Sequence, residues 1–98
     1  MIIDKKVYDK ELTLDLKGRL DTVAAPELES VLKESLEGVE SLVFDCKDLE
    51  YISSAGLRVL LSAQKIMNVQ GSMKLTHVDE TILSVFEVTG FIDILTIE

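Results

Sequence analysis

Apolar and polar residues alternate along this chain with two different periodicities, one typical of strands and the other of helices. Residues 11–17 alternate strictly between leucine and polar side chains, which predicts a half-buried strand. A weaker run over residues 2–7 predicts an earlier strand, and Asp9 and Lys10 between the two runs favour a turn. The N-terminus is therefore expected to form a β-hairpin.

The next segment has the spacing of a helix. Leu28, Leu32 and Leu36 recur at intervals of four, with charged residues between them. Asp21 and Thr22 are good cap residues, Pro26 suits the first turn, and Gly38 is expected to end the helix. The short apolar run 42–44 then predicts a strand that is covered on both faces.

The C-terminal half repeats this alternation of strand and helix. Residues 54–68 carry a wide apolar arc that predicts the most buried helix, which ends at Gly71. Residues 73–78 read as a strand, a third helix runs from Asp79 or Glu80 to Gly90, and residues 92–97 read as a last strand. The order β-β-α-β-α-β-α-β predicts an α/β fold, a mostly parallel sheet with an N-terminal hairpin.

Composition narrows the classes of function. The 98 residues suit one domain, 1–98, and the net charge of -8 is spread over both halves of the chain. An acidic surface argues against nucleic acid and against an anionic membrane surface as partners. One cysteine and one histidine leave no disulfide and almost no zinc ligands, so we expect no metal and no cofactor. With no apolar run of membrane-spanning length and no export signal, a cytoplasmic location is expected.

Two loops at the carboxyl ends of predicted strands, residues 18–22 and 48–57, are the expected place for a site. Ser53 and Ser54 stand where the second helix should begin, and only one of them can be its N-cap. Capping alone is the plain explanation of a serine at this position. The alternative is a phosphoserine, because added negative charge is favoured at a helix start.

An enzyme is a further alternative, with Ser54 as the nucleophile of a hydrolase. A nucleophile elbow has glycine two positions before and two after its serine, and Ile52 occupies the first of these positions. The only histidine, His77, lies on a predicted strand, and no phosphate-binding P-loop motif is present. Cys46, which follows an apolar run, is expected to be a buried small residue. We therefore assign no catalytic residue.

Three segments resemble a known family. GRLDT at residues 18–22, VFDCKDLEYISSAGLRVLL at 43–61 and FEVTGF at 86–91 are similar to the STAS-domain anti-sigma factor antagonists of bacteria. The resemblance covers nearly the whole chain in the right order, and the central segment is its specific part. It implies a single STAS-like domain.

The resemblance also implies a function and a set of partners. Such antagonists bind an anti-sigma factor that is also a serine kinase, and thereby release a sigma factor. Phosphorylation of one serine abolishes the binding, and a serine phosphatase restores it. The phosphorylated serine matches Ser54, and an aspartate of the loop before the first helix matches Asp21. Where the family often has aspartate before this serine, the chain has Ser53, a second candidate acceptor; where serine or threonine often follows, it has Ala55.

From these residues we expect one docking face made by the corner 53–57 and the loop 18–22. Leu20, Ile52 and Leu57 would supply apolar contacts, and Asp21, Asp48 and Glu50 would meet basic residues of the partner. The full set of expected partner-binding residues is Leu20, Asp21, Thr22, Ile52, Ser53, Ser54, Ala55, Gly56 and Leu57. A STAS-type subunit of another signalling or transport complex, not phosphorylated, is the alternative function.

Overall fold

The computed structural model describes all residues, 1–98, and its elements follow the predicted order. The elements are β1 (Ile2–Tyr8), β2 (Glu11–Leu20), α1 (Ala25–Ser35), β3 (Ser41–Ile52), α2 (Ser54–Gln70), β4 (Ser72–Thr76), α3 (Glu80–Thr89) and a final 3₁₀ turn, Phe91–Asp93. The sheet order is β1-β2-β3-β4, with β1 antiparallel to β2 and the other pairs parallel. The predicted α/β fold, with its mostly parallel sheet and N-terminal hairpin, is confirmed.

One face of the sheet carries the core, and the three helices pack on it. Alternate residues of β2 and β3 point to this face and are fully buried, among them Leu12, Leu14 and Leu42. They join buried residues of all three helices in a single cluster of 25 side chains. The opposite face is polar and carries cross-strand ion pairs, such as Lys6 with Asp15 at 2.8 Å.

Helix ends lie close to the positions that the capping residues predict. Pro26 occupies the first turn of α1, and Asp79 caps α3 by accepting a 2.9 Å hydrogen bond from the backbone N–H of Ile82. Gly71 ends α2 where the backbone passes directly against Glu40, so that a side chain at this position would overlap the Glu40 carbonyl group. The close approach, more than the helix end itself, requires a glycine there.

The last predicted strand is the element that differs. Of residues 92–97, only Ile97 pairs with the sheet, through one parallel bridge to Leu75. The chain instead forms the 3₁₀ turn Phe91–Asp93, and the N–H of Leu95 donates to the carbonyl oxygen of Phe91 at 2.9 Å. Phe91 and Leu95 both pack against the core, and the turn between them has a helical conformation that separates them by about one helical turn. An extended strand is therefore excluded over most of this segment.

Two strands are longer than the apolar pattern predicts, and this shapes the functional edge of the sheet. β2 continues to Leu20 and β3 to Ile52, with register irregularities between Asp15 and Lys17 and between Gly18 and Arg19. About half of the two expected loops is therefore strand, residues 54–57 belong to α2, and only residues 21–24 and Ser53 connect the strands to the helices. No helix has the length and apolar character needed to cross a bilayer.

Candidate functional site

The carboxyl ends of β2 and β3 are joined side by side. Leu20 is paired in register with Ile52, and the N–H of Ser53 donates a 2.9 Å hydrogen bond to the carbonyl oxygen of Leu20. One step back along the strands, the guanidinium of Arg19 lies 4.1 Å from the centre of the Tyr51 ring, a cation–π contact. The turn that leads to α1 and the start of α2 are thereby fixed on one rim of the sheet.

Gly56 allows α2 to begin this close to the end of β2. A Cβ atom at Gly56 would lie 2.7 Å from Cγ of Leu20, 2.9 Å from its carbonyl oxygen and 3.0 Å from Cγ1 of Ile52. The missing side chain therefore serves helix–strand packing. The N–H of Gly56 is not open to a ligand, because it is bonded within the chain.

The two serines have different positions, and Ser53 is the one that caps α2. Its backbone is extended, with φ -94° and ψ 173°, and its Oγ accepts a 3.3 Å hydrogen bond from the N–H of Gly56. Its carbonyl oxygen accepts the N–H of Leu57 at 2.9 Å, the first bond of the helix. Because Ser53 is only partly exposed and its oxygen accepts this bond, its side chain serves the start of the helix.

Ser54 is the first residue of α2, and its side chain is exposed to solvent. Its hydroxyl takes part in none of the side-chain hydrogen bonds of the chain, in contrast to that of Ser53. Capping therefore does not explain Ser54. A free hydroxyl at this place is accessible to a second protein, and a negative group attached to it would lie at a favourable end of the helix.

Asp21 shapes the turn before α1. Its Oδ1 accepts hydrogen bonds from the N–H of Ala24 at 2.9 Å and of Val23 at 3.1 Å. The bond from Ala24 is the main reason why the pKa of the Asp21 carboxyl is lower than that of a free aspartate. The prediction that Asp21 or Thr22 caps α1 is wrong, because the helix begins at Ala25 with Ala24 as its N-cap and no side chain caps it; Asp21 instead closes the turn before the helix.

Four of the expected partner-binding residues are buried. Leu20, Ile52 and Leu57 belong to the core cluster, and Gly56 is covered by the end of β2. The expectation that these leucines and the isoleucine supply apolar contacts to a partner is therefore wrong, since their side chains are already buried in the core. The rest of the expected face keeps some exposure: Asp21, Thr22, Ser53, Ser54 and Ala55.

Two surface cavities border this rim. One, of about 330 Å³, lies between the starts of α1 and α2 and brings together Thr22, Ala55 and Arg58. The other, of about 710 Å³, is lined by Asp48 and Glu50 together with Lys17, Gly18 and Lys47, among others. The carboxylates at positions 48 and 50 are thus placed around a different cavity from that beside the start of α2.

The nucleophile expected for a hydrolase is not paired with a base. His77 is exposed just beyond β4, in a left-handed backbone conformation with φ 56°, and its Nδ1 lies 3.0 Å from Oδ1 of Asp45. No hydrogen bond joins it to Ser54. Cys46 is 1% exposed, and burial, the largest cause, raises the pKa of its thiol to about 12, as expected for a structural cysteine.

Two exposed residues near the rim are absent from the sequence-based set. Val23 has 86% of its surface exposed, and Arg58 lies one helical turn after Ser54 on the outer side of α2. The sequence does contain a signal for Arg58, because it is a charged residue that stands among the apolar residues of α2 and so must point away from the core. Val23 carries no such signal, because single apolar residues are common both at protein surfaces and in cores.

The chain is similar over nearly its whole length to members of one protein family. The family model described as STAS domain matches residues 3–98. The anti-sigma-B factor antagonist of Bacillus subtilis (strain 168) is 31% identical over 97% of this chain and 88% of its own length. A protein of Bordetella bronchiseptica provisionally named anti-sigma factor antagonist BtrV is 37% identical over 91% of this chain and 78% of its own length. The phosphorylated form of SpoIIAA, a Bacillus cell fate determinant, has the same fold, with a TM-score of 0.77, 18% identity and coverage of 99% and 91%.

Proposed function

This chain belongs to the STAS domain family, and we propose that it is an anti-sigma factor antagonist switched by phosphorylation of Ser54. Unphosphorylated, it binds an anti-sigma factor that is also a serine kinase, and so releases a sigma factor. Phosphorylated, it no longer binds, and a serine phosphatase restores the first state. The general role is that of its relatives, which are named anti-sigma factor antagonists.

The observation that carries the proposal is the division of labour between Ser53 and Ser54. Ser53 caps α2, while the neighbouring hydroxyl is exposed and bonded to nothing in the chain. Phosphate can therefore be attached to Ser54 without removing the cap. Ser53 is only partly exposed, and its Oγ already accepts the N–H of Gly56 at the start of the helix, so we assign Ser54 as the phosphate acceptor and set Ser53 aside.

The modification itself is a phosphoryl transfer from ATP. The Oγ of Ser54 attacks the γ-phosphorus, a new P–O bond forms, and the bond between the γ-phosphorus and the β–γ bridging oxygen breaks. ADP leaves with the bridging oxygen, and the hydroxyl proton passes to a base of the kinase. The phosphatase hydrolyses the ester with water and returns serine and inorganic phosphate. No catalytic group of this chain is needed in either step.

The switch acts through charge at the docking face. We now restrict this face to residues of the rim that are at least partly exposed and add two that the sequence analysis lacked: Asp21, Thr22, Val23, Ser54, Ala55 and Arg58. Phosphate adds about -1.5 to -2 charge to a rim that already carries Asp21. A partner surface packed against Ser54 would have to accommodate a bulky dianion, and any acidic partner group beside it would form a like-charge contact that costs several kcal/mol. Because the new charge lies at the start of α2, the fold itself is not penalised.

A binding assay with the cognate anti-sigma factor tests the proposal. We expect Ser54→Asp to lose binding while its thermal unfolding stays close to that of the wild type, and Ser54→Ala to bind but to resist inactivation by kinase and ATP. Ser84→Asp, an exposed serine of α3, is the matched control and should bind normally. Full binding by Ser54→Asp would discard the charge mechanism and favour a STAS-type subunit that no kinase modifies.

A further inference from the structure

We infer that Arg58 holds the phosphate group of phosphorylated Ser54, as an ion pair across one turn of α2. The inference rests on the proposed function, since it takes Ser54 as the modified residue. In this pair, the guanidinium of Arg58 positions the phosphate. Pairing with the phosphate also neutralises the positive charge of Arg58, which is then no longer available to a partner at the docking face.

The positions of the two residues on α2 are those of a favourable helical pair. Ser54 and Arg58 are four residues apart, both are exposed, and residues at this spacing are neighbours on one face of a helix. The order also fits, because an anion at the N-terminal position and a cation four residues later is the more stabilising arrangement. A guanidinium can in addition donate two parallel hydrogen bonds to phosphate oxygens.

Arg58 has no competing partner in the unphosphorylated chain. None of the ion pairs of the structure involves it, and α2 contains no aspartate or glutamate. Glu29 lines the same cavity, yet its carboxylate pairs with Lys33 at 3.0 Å. The side chain of Arg58 is exposed, so its guanidinium is free to change rotamer and turn toward Ser54.

The other basic residues of this edge are placed less well for the task. Arg19 stacks on the Tyr51 ring, and Lys17 pairs with Asp4 at 2.8 Å. Lys47 and Lys17 both border the other cavity, with the carboxylate of Glu50. Lys65, the one further cation of α2, lies three turns from Ser54 along the helix. Arg58 is thus the cation that phosphate on Ser54 meets first.

The test is the titration of the phosphate itself, followed by ³¹P NMR. Phosphoserine is incorporated at position 54 during synthesis, so no kinase is needed, in the otherwise wild-type chain and in R58K, R58Q and K65Q. We expect the second pKa of the phosphate to be about 0.3 to 1 unit lower in the wild type than in R58Q. K65Q should match the wild type, and R58K should lie between the wild type and R58Q.

Equal pKa values of the phosphate in the wild type and R58Q would overturn the inference. So would an equal shift in R58Q and K65Q, because that result would indicate general attraction and not a specific pair. Binding of the anti-sigma factor to the same four samples keeps the two proposals apart. A lowered pKa with undiminished binding would sustain the ion pair and contradict the switch, whereas lost binding with an unshifted pKa would do the reverse.

Discussion

The backbone N–H of Ser53 donates a 2.9 Å hydrogen bond to the carbonyl oxygen of Leu20, which ties the end of β3 to the end of β2. This contact places the turn of Asp21 and the start of α2 on one rim. It also directs the Ser53 side chain toward its own helix, where it caps, and leaves the next serine facing solvent. The accessible hydroxyl of the site is therefore a consequence of how two strands end.

Alanine substitution should lower the free energy of unfolding more at Ser53 than at Ser54. Ser53→Ala removes the acceptor for the N–H of Gly56 and should lower the free energy of unfolding by about 1 kcal/mol. Ser54→Ala removes a hydroxyl that bonds to nothing and should change it by less than about 0.5 kcal/mol. Urea denaturation of both variants measures the difference. The reverse ranking would show that Ser54 is the cap.

Gly56→Ala should destabilise the chain because no space exists for a side chain there. The added methyl group would meet Leu20 side-chain and backbone atoms at 2.7 and 2.9 Å, so that α2 must shift away from β2. We expect a loss of about 1–3 kcal/mol, as for other overpacked sites. Thermal unfolding measures this loss, and an unchanged midpoint would contradict the close approach of helix and strand.

The Asp21 carboxylate should make stability depend on pH in the acid range. Hydrogen bonds, chiefly from the N–H of Ala24, lower the pKa of this group in the folded chain. Its contribution is therefore fully present above the unfolded pKa of about 3.9 and is lost as the pH falls through the lower folded pKa. Asp21→Asn keeps an acceptor oxygen but removes the charge.

The measurement compares unfolding of the wild type and Asp21→Asn at several pH values. The wild type should be more stable at neutral pH, and the difference should shrink below about pH 4. Asp93→Asn, an exposed carboxylate without a hydrogen bond in the chain, is the control. A difference between wild type and Asp21→Asn that does not vary with pH would show that the charge of Asp21 is not involved.

Cys46 should be unreactive while the chain is folded. Its thiol is 1% exposed, its pKa is raised to about 12, and its sulfur contacts the carbonyl oxygen of Phe44 at 3.8 Å. Since the thiolate is the reactive form, a disulfide reagent such as Ellman's reagent should modify the native protein only as fast as it unfolds. Rapid modification without denaturant would place the thiol at the surface.

Much of the fold can be predicted because its elements have distinct periods and clear punctuation. The alternating leucines of β2 and the glycines after α2 and α3 suffice for most boundaries. The C-terminus misleads for a physical reason. Ile92 and Ile94 alternate as in a strand but stay exposed, while Phe91 and Leu95, four residues apart, reach the core. This short run fits both the two-residue period of a strand and the four-residue spacing of a helical turn, and tertiary packing selects the helical one.

The site was predictable in position but not in detail. The rim and the serine pair follow from the sequence, whereas the choice of cap depends on the extended backbone of Ser53, which no residue pattern specifies. The burial of Leu20 has a signal in hindsight, since it continues the even-numbered alternation of Leu14 and Leu16. Ile52 has none, because the register irregularities between β2 and β3 break the alternation before it.

The affinity of the chain for its anti-sigma factor, before and after phosphate is placed on Ser54, tests the central claim most directly. Calorimetry on the kinase-treated protein, with one phosphate confirmed by intact mass, should give an affinity at least about a hundredfold lower than that of the unphosphorylated protein. Ser54→Ala treated in the same way should gain no mass and bind as before. Equal affinity of the phosphorylated and unphosphorylated chains, or phosphate added to Ser54→Ala, would contradict it.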